Sequence, residues 1–179
     1  MIRKMQNTDI NRVADIWLKT NLKAHYFIPE QYWTSNYELV KEMMSQAEVY
    51  VYEDDKMIQG FVGLSNEYIE GIFVSDEMQS CGIGKLLLDY IKNKKIRLRL
   101  NVYQKNIRAL SFYQREGFDI QSEGLDDATG EREYTMLWKQ KLKSGLTELK
   151  ARDTSCPKGK KVELRRIKTI GICKEGKSL

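Results

Sequence analysis

The sequence predicts an α/β (α+β) fold, a mixed sheet with helices on both faces. Two observations carry this. Ile10, Val13, Ala14 and Trp17 recur at i, i+3, i+4 and i+7, the spacing of one buried helical face. Short strand-like segments and helical segments then interchange to about residue 140, the order being strand, two helices, three strands, helix, strand, helix, two strands. With 179 residues and 41% hydrophobic content, the chain suffices for one domain with a sizeable core and is short for two.

Residues 2–5 read as the first strand, and Thr8 as a helix N-cap with Asp9 in the first turn. That helix runs to about Leu22. After the loop around His25, a second helix starts at Pro29 or at the capping box Ser35-x-x-Glu38, sets Trp33, Tyr37, Val40 and Met44 on one side, and ends near Gln46. Residues 48–52 and 57–64 flank the polar turn 53–56 as a hairpin, and residues 68–74 add a strand. Gly82 and Gly84 open a helix carrying Ile83, Leu87 and Ile91, after which residues 97–102 alternate as a strand. Residues 107–116 are helical, closed by Gly117 at C′ with Phe118 as its apolar partner. Residues 119–123 and 134–140 are the last strands, joined by a polar loop with Asp126, Asp127 and Gly130, whose carboxylates either attract a cationic amine or, as expected here, solvate that loop.

Composition excludes several function classes. The apolar runs are a few residues long, against the roughly 20 of a membrane helix. Asp9, Asp15 and Glu30 interrupt the first 30 residues in a way that a signal peptide does not, so a cytoplasmic protein is expected. Cys81, Cys156 and Cys173 show neither CxxC nor His-paired spacing and are expected as free thiols. A single histidine, His25, excludes a His-based metal cluster, and no metal is expected. The net charge of +5 is uneven: residues 1–142 hold 19 Lys+Arg against 21 Asp+Glu, and residues 143–179 hold 11 against 4. A nucleic-acid function would rest on that basic tail alone, which lacks the aromatic interleaving of a single-strand platform.

The chemistry is carried by the run Gln79-Ser80-Cys81-Gly82-Ile83-Gly84-Lys85. A glycine-rich turn between a strand and a helix points unpaired N–H groups at one place, reinforced by the helix dipole, and so makes an anion site. Gly82 and Gly84 let a pyrophosphate approach the main chain, and Gln79 and Lys85 add side-chain donors. On the glycines alone, a tight strand-to-helix turn explains the spacing equally well. The spacing Q-x-x-G-x-G is neither the G-x-G-x-x-G of dinucleotide folds nor the GxxxxGK[ST] of P-loops.

At these residues the sequence resembles the GNAT superfamily of acetyl-CoA-dependent N-acetyltransferases, whose signature is [QR]-x-x-G-x-[GA] after the fourth strand. Ile72-Phe73-Val74 before the loop, the stretch from Asn101 to Asn106, and Ala109-Leu110-Ser111-Phe112-Tyr113 followed by Gly117-Phe118 match the family in order and spacing. Met1-Ile2-Arg3, His25-Tyr26-Phe27-Ile28 and the five residues from Val102 to Asn106 resemble the small bacterial YiaC/YjaB-type acetyltransferases. The resemblance covers about residues 1–142, which it marks as the catalytic domain; residues 143–179 are expected to be a basic tail, mobile or weakly docked.

The resemblance implies a mostly antiparallel sheet with a splayed V between strands 4 and 5. It implies that acetyl-CoA lies with pantetheine on the main chain of Ile72, Phe73 and Val74 and pyrophosphate on Gln79, Ser80, Cys81, Gly82, Ile83, Gly84 and Lys85. Asn106 fits the family's CoA-contacting asparagine, and a helix N-cap is an equally natural use for it. Tyr113 matches the proton-donor position; a phenol with a reference pKa of about 10 stays protonated and able to donate to a departing thiolate whose reference pKa is near 8.5. As a helical aromatic it also fits an ordinary core position.

The acceptor side is less determined. A lysine amine is neutral in about one molecule in 2,500 at pH 7, so a base or water relay is needed. Several relatives carry a glutamate where this chain has Asn101, which is no base. Glu70, through water, and His25, in a loop that borders the acceptor groove in the family, are the alternatives. The implied activity is direct transfer of acetyl from acetyl-CoA to a primary amine, on a protein lysine or N-terminus or on a small molecule, by a monomer or homodimer. The competing reading is a catalytically inactive CoA-binding or sensing module of the same fold.

Overall fold

The computed structural model describes residues 1–141. The residue-142 boundary and the expected character of residues 143–179 lie outside the described residues, as do Cys156 and Cys173. In chain order the elements are β1 (Ile2–Lys4), α1 (Ile10–Ala24), α2 (Glu30–Ser35), α3 (Tyr37–Gln46), β2 (Glu48–Asp54), β3 (Met57–Ser65), β4 (Tyr68–Val74), α4 (Ile83–Lys92), β5 (Arg97–Tyr103), α5 (Ile107–Arg115), β6 (Asp119–Leu125) and β7 (Arg132–Lys139). They build a seven-stranded sheet in the order β1-β2-β3-β4-β5-β7-β6. Every neighbouring pair is antiparallel except β4 and β5. Among the described residues, no helix is long and apolar enough to cross a membrane.

Two local expectations change. Thr8 lies inside a 3-10 turn, Asn7–Asp9, and does not cap α1; the Asp9 carboxylate instead accepts from the Gln6 N–H at 2.8 Å. The Arg3 guanidinium bridges that carboxylate at 2.6 Å and Glu53 at 2.5 Å, tying β1 to the start of α1 and to β2, and it holds Asp9 below the usual carboxylate range. The second helix is two helices. The first starts after Pro29 as expected, whereas the second starts at Tyr37 with Asn36 at its N-cap and no side-chain cap. The Ser35-x-x-Glu38 capping box does not form, because Ser35 still belongs to α2. Asn36 separates the two helices, its side-chain amide donating at 2.6 Å to the Tyr32 carbonyl. The hairpin turns through Asp55 and Lys56, with φ of 45° and 60°, the left-handed pair a tight β-hairpin demands.

The sheet separates two apolar layers. On one face Val13, Ile16 and Trp17 of α1, with Trp33 and Val40, pack on Val49, Val51 and Phe61. On the other, Ile83, Leu87, Leu88 and Ile91 of α4 pack with Tyr113 and Phe118 on Val62, Leu64, Leu98 and Leu100. β3 is covered on both sides, which is why residues 58–64 are buried without alternation, Gln59 included.

The strand pairing prepares the site. β3 and β4 pair from Gly60↔Val74 to Ser65↔Tyr68, whereas β4 and β5 meet only at Tyr68↔Arg99. Beyond that point β5 turns to β7, and the outer edge of β4 over Ile72 to Val74 is left open. Gly60 permits the close packing behind this edge: a Cβ there would sit 2.9 Å from the Phe73 carbonyl oxygen and 3.2 Å from the Ile83 side chain. Gly60→Ala is therefore expected to push β4 and α4 away from β3, at a cost of about 1–3 kcal/mol. A urea titration checks this.

Candidate functional site

β4 leads into α4 through a loop whose backbone is fixed at several points. Ser75 Oγ donates to Gln59 Oε1 at 2.8 Å, and Gln79 Nε2 donates to the Val74 carbonyl at 3.2 Å and to Asp76 at 3.0 Å. Ser80 and Gly82 adopt left-handed φ values of 64° and 84°. No side chain caps α4, so its first-turn N–H groups face outward from Gly82 without a side-chain acceptor, the arrangement that binds anions.

Those groups open on a cavity of about 490 Å³ between α4 and α5. Ile72 and Val74 from the open strand edge line it, as do Gln79, Ser80, Gly82, Ile83, Gly84 and Lys85 from the loop and helix. Asn106 and Tyr113 come from the α5 side, and Thr20 and Ala24 come from α1. Gly84 lies within the first turn of α4, and a Cβ there would stand 3.7 Å from Phe112 and 4.0 Å from Ile72, partly filling this space. A polar mouth at a helix N-terminus, an apolar throat and an open strand edge together fit a phosphorylated ligand with an amide-bearing arm.

The remaining expected residues are placed less directly. The Phe73 ring stacks on Phe61 with centroids 4.9 Å apart on the opposite face, so only its main chain is available to the open edge. Cys81 is exposed and does not line the cavity. The Lys85 ammonium lies 2.9 Å from Glu116 and 3.1 Å from Asp89, and these carboxylates raise its pKa.

Tyr113 is buried between Phe112 and Phe118, and burial pushes its phenol well above the ordinary range. It remains protonated at any physiological pH. Asn106 caps α5, its Oδ1 accepting from the Ala109 N–H at 3.1 Å. Its Nδ2 lies 3.0 Å from Nε2 of His25. His25 is buried, stacks on Trp33, places Nδ1 2.9 Å from Asn21 Oδ1, and has its pKa pushed down to about 4 by burial.

Glu70 faces a separate pocket of about 30 Å³ with Trp17, Val40, Met44 and Phe73. Asn101 donates at 2.5 Å to Glu133 of β7, a buried carboxylate. Asp126 does not solvate its loop. It is 2% exposed and accepts from the Tyr103 hydroxyl at 2.5 Å and from the Ala128 N–H at 3.0 Å. Asp127 is exposed. Among the described residues no group of His, Cys, Asp and Glu side chains could hold a metal ion.

Two residues that sequence reading missed belong to this region. Arg108 reaches across the mouth and donates to Gln79 Oε1 at 2.8 Å and to Ser80 Oγ at 3.2 Å. Its signal is a cation in the first turn of a helix, where the dipole disfavours positive charge unless an anion is to be bound. Glu133 had no signal, because a charged residue at the start of a strand reads as solvent-facing.

Comparisons with known proteins agree with this geometry. The profile of the acetyltransferase (GNAT) domain matches residues 45–120. The peptidyl-lysine N-acetyltransferase YiaC of Escherichia coli K12 is 33% identical over 140 residues, covering 77% of this chain and 96% of that protein. YjaB of the same organism, also a peptidyl-lysine N-acetyltransferase, is 26% identical over 138 residues, 76% of this chain and 92% of its own. Its apo solution structure superposes with a TM-score of 0.71 at 22% identity, covering 79% of this chain and 98% of that one. The PaiA N-acetyltransferase of Thermoplasma acidophilum, solved with coenzyme A, superposes at 0.63 with 20% identity over 78% of this chain and 98% of its own.

Proposed function

Since this chain belongs to the GNAT acetyltransferase family and is an acetyl-CoA-dependent N-acetyltransferase, we propose that it acetylates the ε-amine of lysine in a protein or peptide, directly and through the residues named above. The observation that carries the site assignment is the continuity of the cavity. It runs from the uncapped N-terminus of α4, past the open edge of β4, to the Tyr113 side chain.

Bound acetyl-CoA supplies the activated acetyl group as a thioester. The main chain over Ile72, Phe73 and Val74 pairs with the pantetheine arm. Gln79, Ser80, the backbone from Cys81 to Lys85, and Arg108 hold the pyrophosphate. Asn106 holds the arm near α5, and Tyr113 protonates the departing sulfur. On the acceptor side, Asn101 holds Glu133, which brings a carboxylate beside the β5 position where several relatives carry their glutamate. That supports a competent enzyme over an inactive CoA-binding module, which the enzyme names of its relatives also disfavour.

The acceptor assignment follows the peptidyl-lysine relatives. Acetyl-CoA offered with lysine-containing peptides, N-terminal amines, polyamines and aminoglycosides, with products read by mass spectrometry, tests it. Acetylated lysine peptides are expected to dominate. Turnover confined to small amines would move the substrate class, and no CoA release with any amine would return the inactive reading.

Arg108→Ala should raise KM for acetyl-CoA by about ten- to a hundredfold, as expected for one lost charge-assisted contact of roughly 1.5–3 kcal/mol, with kcat little changed. Steady-state kinetics read this split directly.

A further inference from the structure

We propose that His25 is a positioning residue of the acetyl-CoA site: its ring, protonated on Nδ1 alone, sets the Asn106 amide and so ties the N-terminus of α5 to the end of α1 across the open V. The inference rests on the site assignment above and assigns His25 a task other than acceptor chemistry.

The tautomer follows from two independent ends of one chain of hydrogen bonds. Asn21 Nδ2 donates to the Trp17 carbonyl at 2.9 Å, which leaves Oδ1 facing His25 Nδ1 at 2.9 Å. An oxygen there requires a proton on Nδ1. At the other end, Asn106 Oδ1 is taken by the Ala109 N–H at 3.1 Å, which leaves Nδ2 facing His25 Nε2 at 3.0 Å. A donor there requires Nε2 to be bare. The two ends demand the same neutral ring, and neither nitrogen is left to take a proton from an acceptor amine.

The ring itself is held on several sides. It stacks on Trp33 with centroids 5.4 Å apart and meets Phe27 and Tyr103 edge-on. The elements it joins lie on opposite faces of the sheet, α1 in one apolar layer and α5 in the other. Both line the cavity, α1 through Thr20 and Ala24 and α5 through Arg108 and Tyr113. An Asn106 amide released from His25 is free to rotate, and a rotated amide sets Nδ2 against the Ala109 N–H and uncaps α5. His25 thereby acts on the cofactor through Asn106.

The chain contains one histidine, so its imidazole gives a single spin system. In the intact protein labelled with ¹⁵N histidine at pH 7, long-range proton–nitrogen correlation is expected to show a protonated Nδ1 and a bare Nε2. A protonated Nε2 overturns the proposal whether or not CoA binds.

Calorimetry with CoA then tests the coupling. His25→Phe keeps the aromatic packing without the acceptor and should weaken CoA binding about tenfold, comparable to losing a helix cap. His25→Gln, whose Oε1 can replace Nε2, should recover binding to within about threefold of the parent. The double variant with Asn106→Ala should bind no more weakly than Asn106→Ala alone.

Additive losses in the double variant overturn the proposal. So does a His25→Gln protein that folds as the parent yet binds CoA as weakly as Asn106→Ala, which decides the matter if His25→Phe does not fold. A parent protein that fails to bind CoA would instead refute the site assignment.

Discussion

Tyr113→Phe is expected to lower kcat by about 100-fold or more, within the range for loss of a general acid, while CoA affinity stays near that of the parent. The phenol lines the cavity, and among the described residues its hydroxyl makes no hydrogen bond, so deleting the oxygen strands no partner. The ring keeps its edge contacts with Phe112 and Phe118, and the melting temperature should barely move. Burial, which holds the phenol above its ordinary pKa, keeps the proton in place at neutral pH. Steady-state turnover alongside calorimetry with CoA separates the two quantities. Unchanged turnover would take Tyr113 out of the mechanism.

Gly84→Val should do the reverse. The nearest atoms to a Cβ at this position are 3.7 Å away in Phe112 and 4.0 Å away in Ile72, ordinary contacts that the fold tolerates. The added methyl groups must then enter the cavity at the first turn of α4. Loss of two charge-assisted contacts between backbone and pyrophosphate corresponds to CoA binding weaker by about 100-fold. Valine is no worse a helix residue than glycine, so thermal stability should hold or rise. Gly82 is a different case. A Cβ there meets nothing within 4 Å, but its φ of 84° is costly for any other residue, so substitution perturbs the loop rather than the cavity. Gly84→Val binding CoA as tightly as the parent would refute the phosphate-loop assignment.

Much of this was legible in the sequence because it depends on neighbours in the chain. The buried face of α1, the hairpin before β4, the glycine at the entry to α4 and the cap of α5 at Asn106 are all set within a few residues. Even there, Thr8 does not cap α1, because it falls inside the 3-10 turn that Gln6 and the Asp9 carboxylate, held by Arg3, close ahead of the helix. What stayed hidden depends on residues far apart. Arg108 meets Gln79 across 29 positions, Asn101 meets Glu133 across 32, and His25 meets Asn106 across 81. Each needs the sheet to be assembled before it exists. Asp126 shows the same limit: a carboxylate in a polar loop reads as solvent-facing, and only the approach of Tyr103 from β5 makes it a buried acceptor.

The V between β4 and β5 also bears on how long the molecule survives. Strands β1 to β4 lie within residues 2–74 and strands β5 to β7 within 97–139, so each half of the sheet is contiguous in sequence. Along their shared edge the two halves meet at one residue pair. A ligand lying along β4, as proposed above, would add a brace at this sparsely paired edge and would bind best when both halves are docked. At a hundred times its Kd such a ligand raises the free energy of unfolding by about 2.7 kcal/mol, and the population open to proteases falls about 100-fold. Limited proteolysis of the protein with and without CoA is therefore expected to show slower cleavage when CoA is bound.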